Sequence, residues 1–122
     1  ALDVLALAPA DFDAWVAART RPPPAPAIPF LAKGQQLFVQ QGCGACHHVR
    51  GLTGASGGLG PDLSNVGDRA TIGAGLLPTS IGSLAGWIAN PQHLKPGVLM
   101  PAFDQLPGED LRALAAWLAS LE

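Results

Sequence analysis

Three stretches of the chain repeat apolar residues at helical spacing. Leu31, Gly34, Leu37 and Phe38 share one face of the segment Leu31 to Gln41, and Gly42 follows as a natural stop. Ile81, Leu84, Trp87 and Ile88 form a second stripe, which Pro91 must end because the residue before a proline resists helical geometry. Leu111, Leu114, Leu118 and Leu121 form a third, with Ala115 beside them. Pro107 opens that last helix, and Glu109 and Asp110 fall in its first turn, where the helix dipole favours negative charge. The remainder of the chain from Phe30 onward reads as loop with no convincing strand, so the expected class is all-α.

The N-terminal part follows a different pattern and divides the chain in three. Residues 1–18 hold an apolar run, Leu2-Asp3-Val4-Leu5-Ala6-Leu7, that could be a strand, then Pro9 and a helix-like Asp11-Phe12-Asp13-Ala14-Trp15-Val16. Eighteen residues cannot fold alone. Residues 19–29, Arg19 to Pro29, carry five prolines and favour an extended polyproline II spacer of roughly 25 to 35 Å. Residues 30–122 have the composition of a compact domain. With four Phe, three Trp and no Tyr, that domain has few aromatics for a conventional core. The formal charge is −2 and the seven basic residues are scattered, which argues against nucleic acid and against a polybasic membrane patch. No apolar run is long enough to span a bilayer. The start at Ala1, without a signal-peptide pattern, suggests a mature or excised piece of a longer protein.

Chemistry concentrates in Cys43-Gly44-Ala45-Cys46-His47, which uses both cysteines of the chain. Two thiols about one helical turn apart can form thioethers to the two vinyl groups of one porphyrin, and the following imidazole can then serve as the proximal iron ligand. A structural zinc site would need a second Cys or His pair at ligand spacing. A thioredoxin-like dithiol would need a βαβ setting, and a plain disulfide gives no reason for His47. Covalent haem c is therefore the expectation, and haem would supply the apolar mass that the aromatics do not. Met100 is the only methionine and sits between prolines in Lys95-Pro96-Gly97-Val98-Leu99-Met100-Pro101. A stiffened loop can hold a weak ligand, so Met100 is the candidate for the second axial position, against the ordinary role of a core-filling Met. His48 and His93 are rival sixth ligands, the first expected at the surface or near a propionate and the second in an exposed loop. The stretch Gly51 to Gly60 lacks the ending of a phosphate loop and reads as a flexible surface loop beside the haem.

From about Ala32 to Glu122 the sequence resembles class I monohaem cytochromes c. The residues that carry the likeness are Gly34 and Phe38, Cys43 to His47, Gly60-Pro61-Asp62-Leu63, Arg69, Trp87, Met100-Pro101 and Trp117. The resemblance implies three to five helices packed around one covalently bound haem, with Gly34 and Phe38 packed on the last helix near Trp117. It also implies that the Pro61 carbonyl accepts a hydrogen bond from His47, and that Arg69 and Trp87 are candidates for contacts with the buried propionate. More narrowly, Leu2 to Ala18, with Phe12-Asp13-Ala14-Trp15, looks like the end of the copper A cupredoxin domain in subunit II of caa-type cytochrome c oxidases. The stretches Arg69 to Pro78 and Lys95-Pro96-Gly97 look like the cytochrome domain fused there. Copper A would belong to the parent protein, since no cysteine of this chain remains for copper.

That likeness implies one-electron transfer, from an upstream cytochrome or quinol-oxidising complex to copper A and on to the catalytic subunit. An iron held by two protein ligands leaves no position for substrate, so the domain would be a relay with no catalysis of its own. The setting would be the extracytoplasmic, periplasmic face of a bacterial membrane, with the domain tethered through the parent protein. The expected haem edge, Gly42 to Cys46, Gly57 to Pro61 and Gly97 to Phe103, carries no charge, which implies docking that depends weakly on salt. The alternatives are a free periplasmic cytochrome c, a module of another respiratory complex, and a haem sensor or peroxidase in which Met100 leaves the iron.

Overall fold

The computed structural model describes residues 4–122. Five α-helices appear in it: α1 (Pro9–Thr20), α2 (Pro29–Gln40), α3 (Ile81–Ala89), α4 (Pro91–Leu94) and α5 (Gly108–Ala119). A single 3₁₀ turn, Cys43–Ala45, follows α2. The architecture is mostly helical, with α2 and α3 both packed on α5, in keeping with the three to five helices that the resemblance implies.

Helix α5 is the centre of the packing because it is apolar around most of its circumference. Ala113 to Leu118 are all buried, and Leu121 is buried just beyond the helix end. Helix α2 crosses it where Gly34 leaves no room for a side chain: a Cβ there would lie 2.1 Å from the Ala113 carbonyl oxygen and 2.7 Å from Trp117 Cβ. One turn later Phe38, 1 % exposed, meets Trp117 with ring centroids 5.1 Å apart and planes tilted by 59°. At the other end of the crossing, Lys33 Nζ reaches Glu109 at 3.0 Å and Asp110 at 2.7 Å. Those two carboxylates raise the Lys33 pKa, with Asp110 contributing most.

Pro91 acts as both a stop and a start. Asn90, before it, leaves the helical region at φ −155°, ψ 78°, which ends α3. Pro91 then takes the first position of α4, where its missing N–H costs nothing, and the Asn90 side chain accepts a hydrogen bond from the His93 amide at 3.2 Å. The pattern predicted only the stop.

Two other segments differ from the pattern. A two-stranded antiparallel hairpin, β1 (Thr71–Ile72) and β2 (Leu77–Pro78), closes over the left-handed run Gly73, Ala74 and Gly75. Strands of two residues are too short to show alternation. The strand expected from the N-terminal apolar run is not formed at Val4 to Leu7, which are exposed, and its first two residues lie outside the described part.

The Pro-rich segment lies against the domain instead of standing free. Helix α1 runs through Thr20, where Arg19 pairs with Asp68 and sits 5.0 Å over the Trp15 ring. Arg50 donates to the Arg21 carbonyl at 3.0 Å, and Pro22 lies beside Gly51. Pro23, Pro24 and Pro26 then line a cleft whose other wall includes Val49, Trp117 and Leu121.

The tight crossing makes Gly34 the most sensitive position of the scaffold. Gly34→Ala should cost about 1–3 kcal/mol or more, because backbone and not a pliable side chain meets the new methyl. Urea unfolding of wild type and variant measures it, and unchanged stability would contradict the packing described.

Candidate haem site

The attachment motif is presented by the end of α2. Gln41 closes the helix, Gly42 turns through the left-handed region at φ 73°, and the 3₁₀ turn starts at Cys43. The His47 amide donates to the Cys43 carbonyl at 2.9 Å, so the motif is one compact coil. Cys43 and Cys46 are unbridged and half-buried. Burial pushes the Cys43 thiol up to about 11, and the nearby Cys46 adds to it. A redox dithiol needs the opposite shift, which weighs against the thioredoxin-like reading.

The Gly51 to Gly60 stretch is stapled to this coil and is not a free loop. The Val49 amide donates to the Ala55 carbonyl at 3.0 Å, and Gly57 N donates to the Gly44 carbonyl at 3.0 Å. Gly60 passes under the His47 ring, where a Cβ would come within 2.5 Å of Cε1. His47 Nδ1 donates to the Pro61 carbonyl at 2.8 Å, which leaves Nε2 as the ring nitrogen free to bind metal.

Met100 lies in a loop tied to α3 and α4. Phe103 N donates to the Ile88 and Ala89 carbonyls at 3.1 Å, and the Gln92 side-chain amide donates to the Met100 carbonyl. Met100, Cys43, Leu63 and Trp87 are all half-buried against the same apolar core. A soft thioether, one free imidazole nitrogen, two unbridged thiols and a partly buried apolar wall form a donor set that fits haem c.

Arg69 and Trp87 sit in defined places near these elements. Arg69 donates to the Asp62 carbonyl and lines a cleft with Trp15, Arg19, Asp62 and Asp68. Trp87 packs on the hairpin turn, with Cζ3 2.8 Å from where a Gly73 Cβ would stand. Beside the hairpin, the Thr79 hydroxyl is buried without a partner among the described residues. His93 is exposed on α4. His48 is half-buried and donates to Asp62 Oδ2 at 2.9 Å, so it is engaged with the loop beyond Pro61.

Gln92 carries no signal in the sequence, and Gly60 and Asp62 enter it only within the stretch Gly60-Pro61-Asp62-Leu63, without a role of their own.

The Asp62 carboxyl is pushed up by burial, but hydrogen bonds from Ser64 and the hydrogen bond and charge of His48 outweigh this and lower it to about 2. A carboxyl lowered on folding stabilises fully above its unfolded pKa, about 4, and loses that contribution as pH falls through the folded value. Wild type should therefore lose stability between about pH 4 and about pH 2 more steeply than Asp62→Asn. Urea midpoints at pH 5 and pH 2.5 measure the difference, and parallel losses would refute it.

The family model "Cytochrome c" matches residues 31–122. The chain is 38 % identical, over 119 residues and 98 % of its length, to cytochrome c oxidase subunit 2 of Alkalihalophilus pseudofirmus, of which it covers 34 %. It is 33 % identical, over 115 residues and 91 % of its length, to cytochrome c oxidase subunit 2 of Bacillus sp. strain PS3, covering 32 % of that protein. The chain thus spans about a third of these relatives. Among the described residues no helix is long and apolar enough to cross a membrane. With the attachment motif, the helical scaffold and the matched region in agreement, the chain belongs to the cytochrome c family.

Proposed function

We propose that this chain is the electron-relay domain of a cytochrome c oxidase subunit II, with one haem c held by Cys43, Cys46, His47 and Met100. The observation that carries the ligand assignment is the bond from His47 Nδ1 to the Pro61 carbonyl, which turns the other ring nitrogen outward as donor. Haem so held would supply one-electron redox chemistry, at a potential raised by the thioether ligand. Cys43 and Cys46 would fix the group to the end of α2. Gln92 and the Phe103 amide hold the Met100 loop in place, so a weak thioether donor does not have to be ordered at each encounter. With His47 and Met100 both holding the iron, no position would remain for a substrate. Arg69, Trp87 and the unpartnered Thr79 hydroxyl are the groups we assign to the propionate side.

The donor would be an upstream cytochrome or quinol-oxidising complex and the acceptor the copper A centre of the parent oxidase, on the periplasmic face of the membrane. The names of the two relatives support an oxidase as the parent complex. Leu59 and Leu99 are 89 % and 98 % exposed in segments without charge, which suits apolar docking. Long-range steering is then unnecessary, because a tethered domain meets its partner at an effective concentration of roughly millimolar order. The docked Pro-rich segment would give the tether a fixed departure point on this domain.

Spectra and transfer rates test this reading together. The oxidised haem-loaded chain should show the weak long-wavelength band of methionine sulfur on ferric iron, lost in Met100→Ala. The reduced wild type should resist carbon monoxide and pass electrons to a copper A domain at a rate that changes little with salt. Ready carbon monoxide binding by wild type would overturn the closed site in favour of a sensor or peroxidase. A steep fall of the rate with ionic strength would overturn the apolar docking.

A further inference from the structure

His47 takes its orientation from one hydrogen bond to a carbonyl on an exposed loop, that of Pro61. The restraint comes from a register of contacts at a constant offset of fourteen residues. Gly60 N donates to the Cys46 carbonyl at 2.8 Å, His47 to the Pro61 carbonyl at 2.8 Å, His48 to Asp62 at 2.9 Å, and Arg50 N to Ser64 Oγ at 2.8 Å. Leu63 N adds a bond of 2.8 Å to the His48 carbonyl. The two segments run side by side in parallel, with the His47–Pro61 bond in the middle.

Asp62 is the most heavily fastened residue of that register. Its Oδ2 accepts from His48, its Oδ1 accepts from the Ser64 amide at 2.8 Å, and its carbonyl accepts from Arg69. Ser64 is itself 1 % exposed and bound to Arg50, so the loop is anchored in the core on one side of Asp62 and on the haem motif on the other. The Pro61 carbonyl belongs to the peptide that joins Pro61 to Asp62. Fixing Asp62 at three atoms therefore fixes the plane of the acceptor that His47 meets.

We propose that Asp62 is a positioning residue, holding the Pro61 carbonyl on His47 Nδ1 and so setting how strongly His47 donates to haem iron. The proposal rests on the reading of His47 as the proximal ligand. A firmly held carbonyl gives the imidazole more anionic character and favours ferric iron. Releasing it should weaken the donor, raise the reduction potential and expose the Nδ1 proton to exchange.

The test uses the haem-loaded full chain and four variants. Asp62→Ala should raise the potential and speed exchange of the His47 Nδ1 proton roughly ten-fold, the equivalent of one net hydrogen bond. His48→Ala, which removes one of the three fastenings, should move both readouts in the same direction by less. Asp62→Asn can still accept from Ser64 and contact His48, so it should stay near wild type. Asp68→Ala removes the same charge from the neighbouring turn and should leave the exchange rate unchanged. The proposal is overturned if Asp62→Asn shifts as far as Asp62→Ala, since charge would then be the cause. It is also overturned if Asp62→Ala and His48→Ala both leave the His47 proton and the potential unmoved. Should Asp62→Ala fail to load haem, the His48→Ala result decides in the same way. A wild type without iron-shifted resonances from the His47 ring would overturn the ligand reading itself, a result distinct from wild-type signals that the variants do not perturb.

Discussion

The close crossing of α2 over α5 at Gly34 is the constraint on which the other parts of the molecule depend. With no room at Gly34 for even a Cβ against the Ala113 carbonyl, the two helices cannot slide or rotate without a clash. The crossing also sets the Phe38 ring against Trp117 and the Lys33 ammonium between two carboxylates. The C-terminal end of α2 is thereby aimed, and the attachment motif begins three residues beyond it. The position of Cys43 to His47 is therefore tied to the packing of α2 on α5.

Both faces of the site are hung on the same helix by different routes. The loop bearing Pro61 is tied to the end of α5 by the Gly67 amide, which donates to the Leu121 carbonyl at 2.8 Å. The loop bearing Met100 is tied to the last carbonyls of α3, and α3 packs on α5. The loops that carry the two proposed ligands, His47's acceptor Pro61 and Met100, are thus both referred to α5 in a scaffold of few aromatics. Haem would complete a core whose wall, including Leu63, Leu77, Trp87 and Phe103, is only half-buried in the polypeptide alone.

The helical scaffold was legible because each long helix announces itself in a few neighbouring residues. The stripe of Leu114 and Leu118, the cap region of Pro107 and Glu109, and the stop at Pro91 are all local signals. Cys43 to His47 was legible for the same reason, since its chemistry requires fixed spacing. What escaped depends on residues far apart in the chain. Arg19 finds Asp68 across 49 positions, and that pairing together with the Arg50–Arg21 bond docks a segment whose prolines alone predict a free spacer. His48 and Asp62 are fourteen apart and meet only because the intervening glycine-rich loop folds back on the motif. The hairpin of two-residue strands and the single turn of α4 are below the length at which periodicity can be read.

The central claim is a haem joined through both cysteines of the attachment motif, and the mass of the denatured protein addresses it most directly. The chain would be produced with haem c maturation machinery, extracted with acidified acetone and weighed intact, beside Cys43→Ala and Cys46→Ala. The account predicts that wild type carries the added mass of one haem through extraction and that neither substitution retains two thioether links. A wild-type chain that emerges at the mass of the polypeptide alone, with its colour in the solvent, would contradict it.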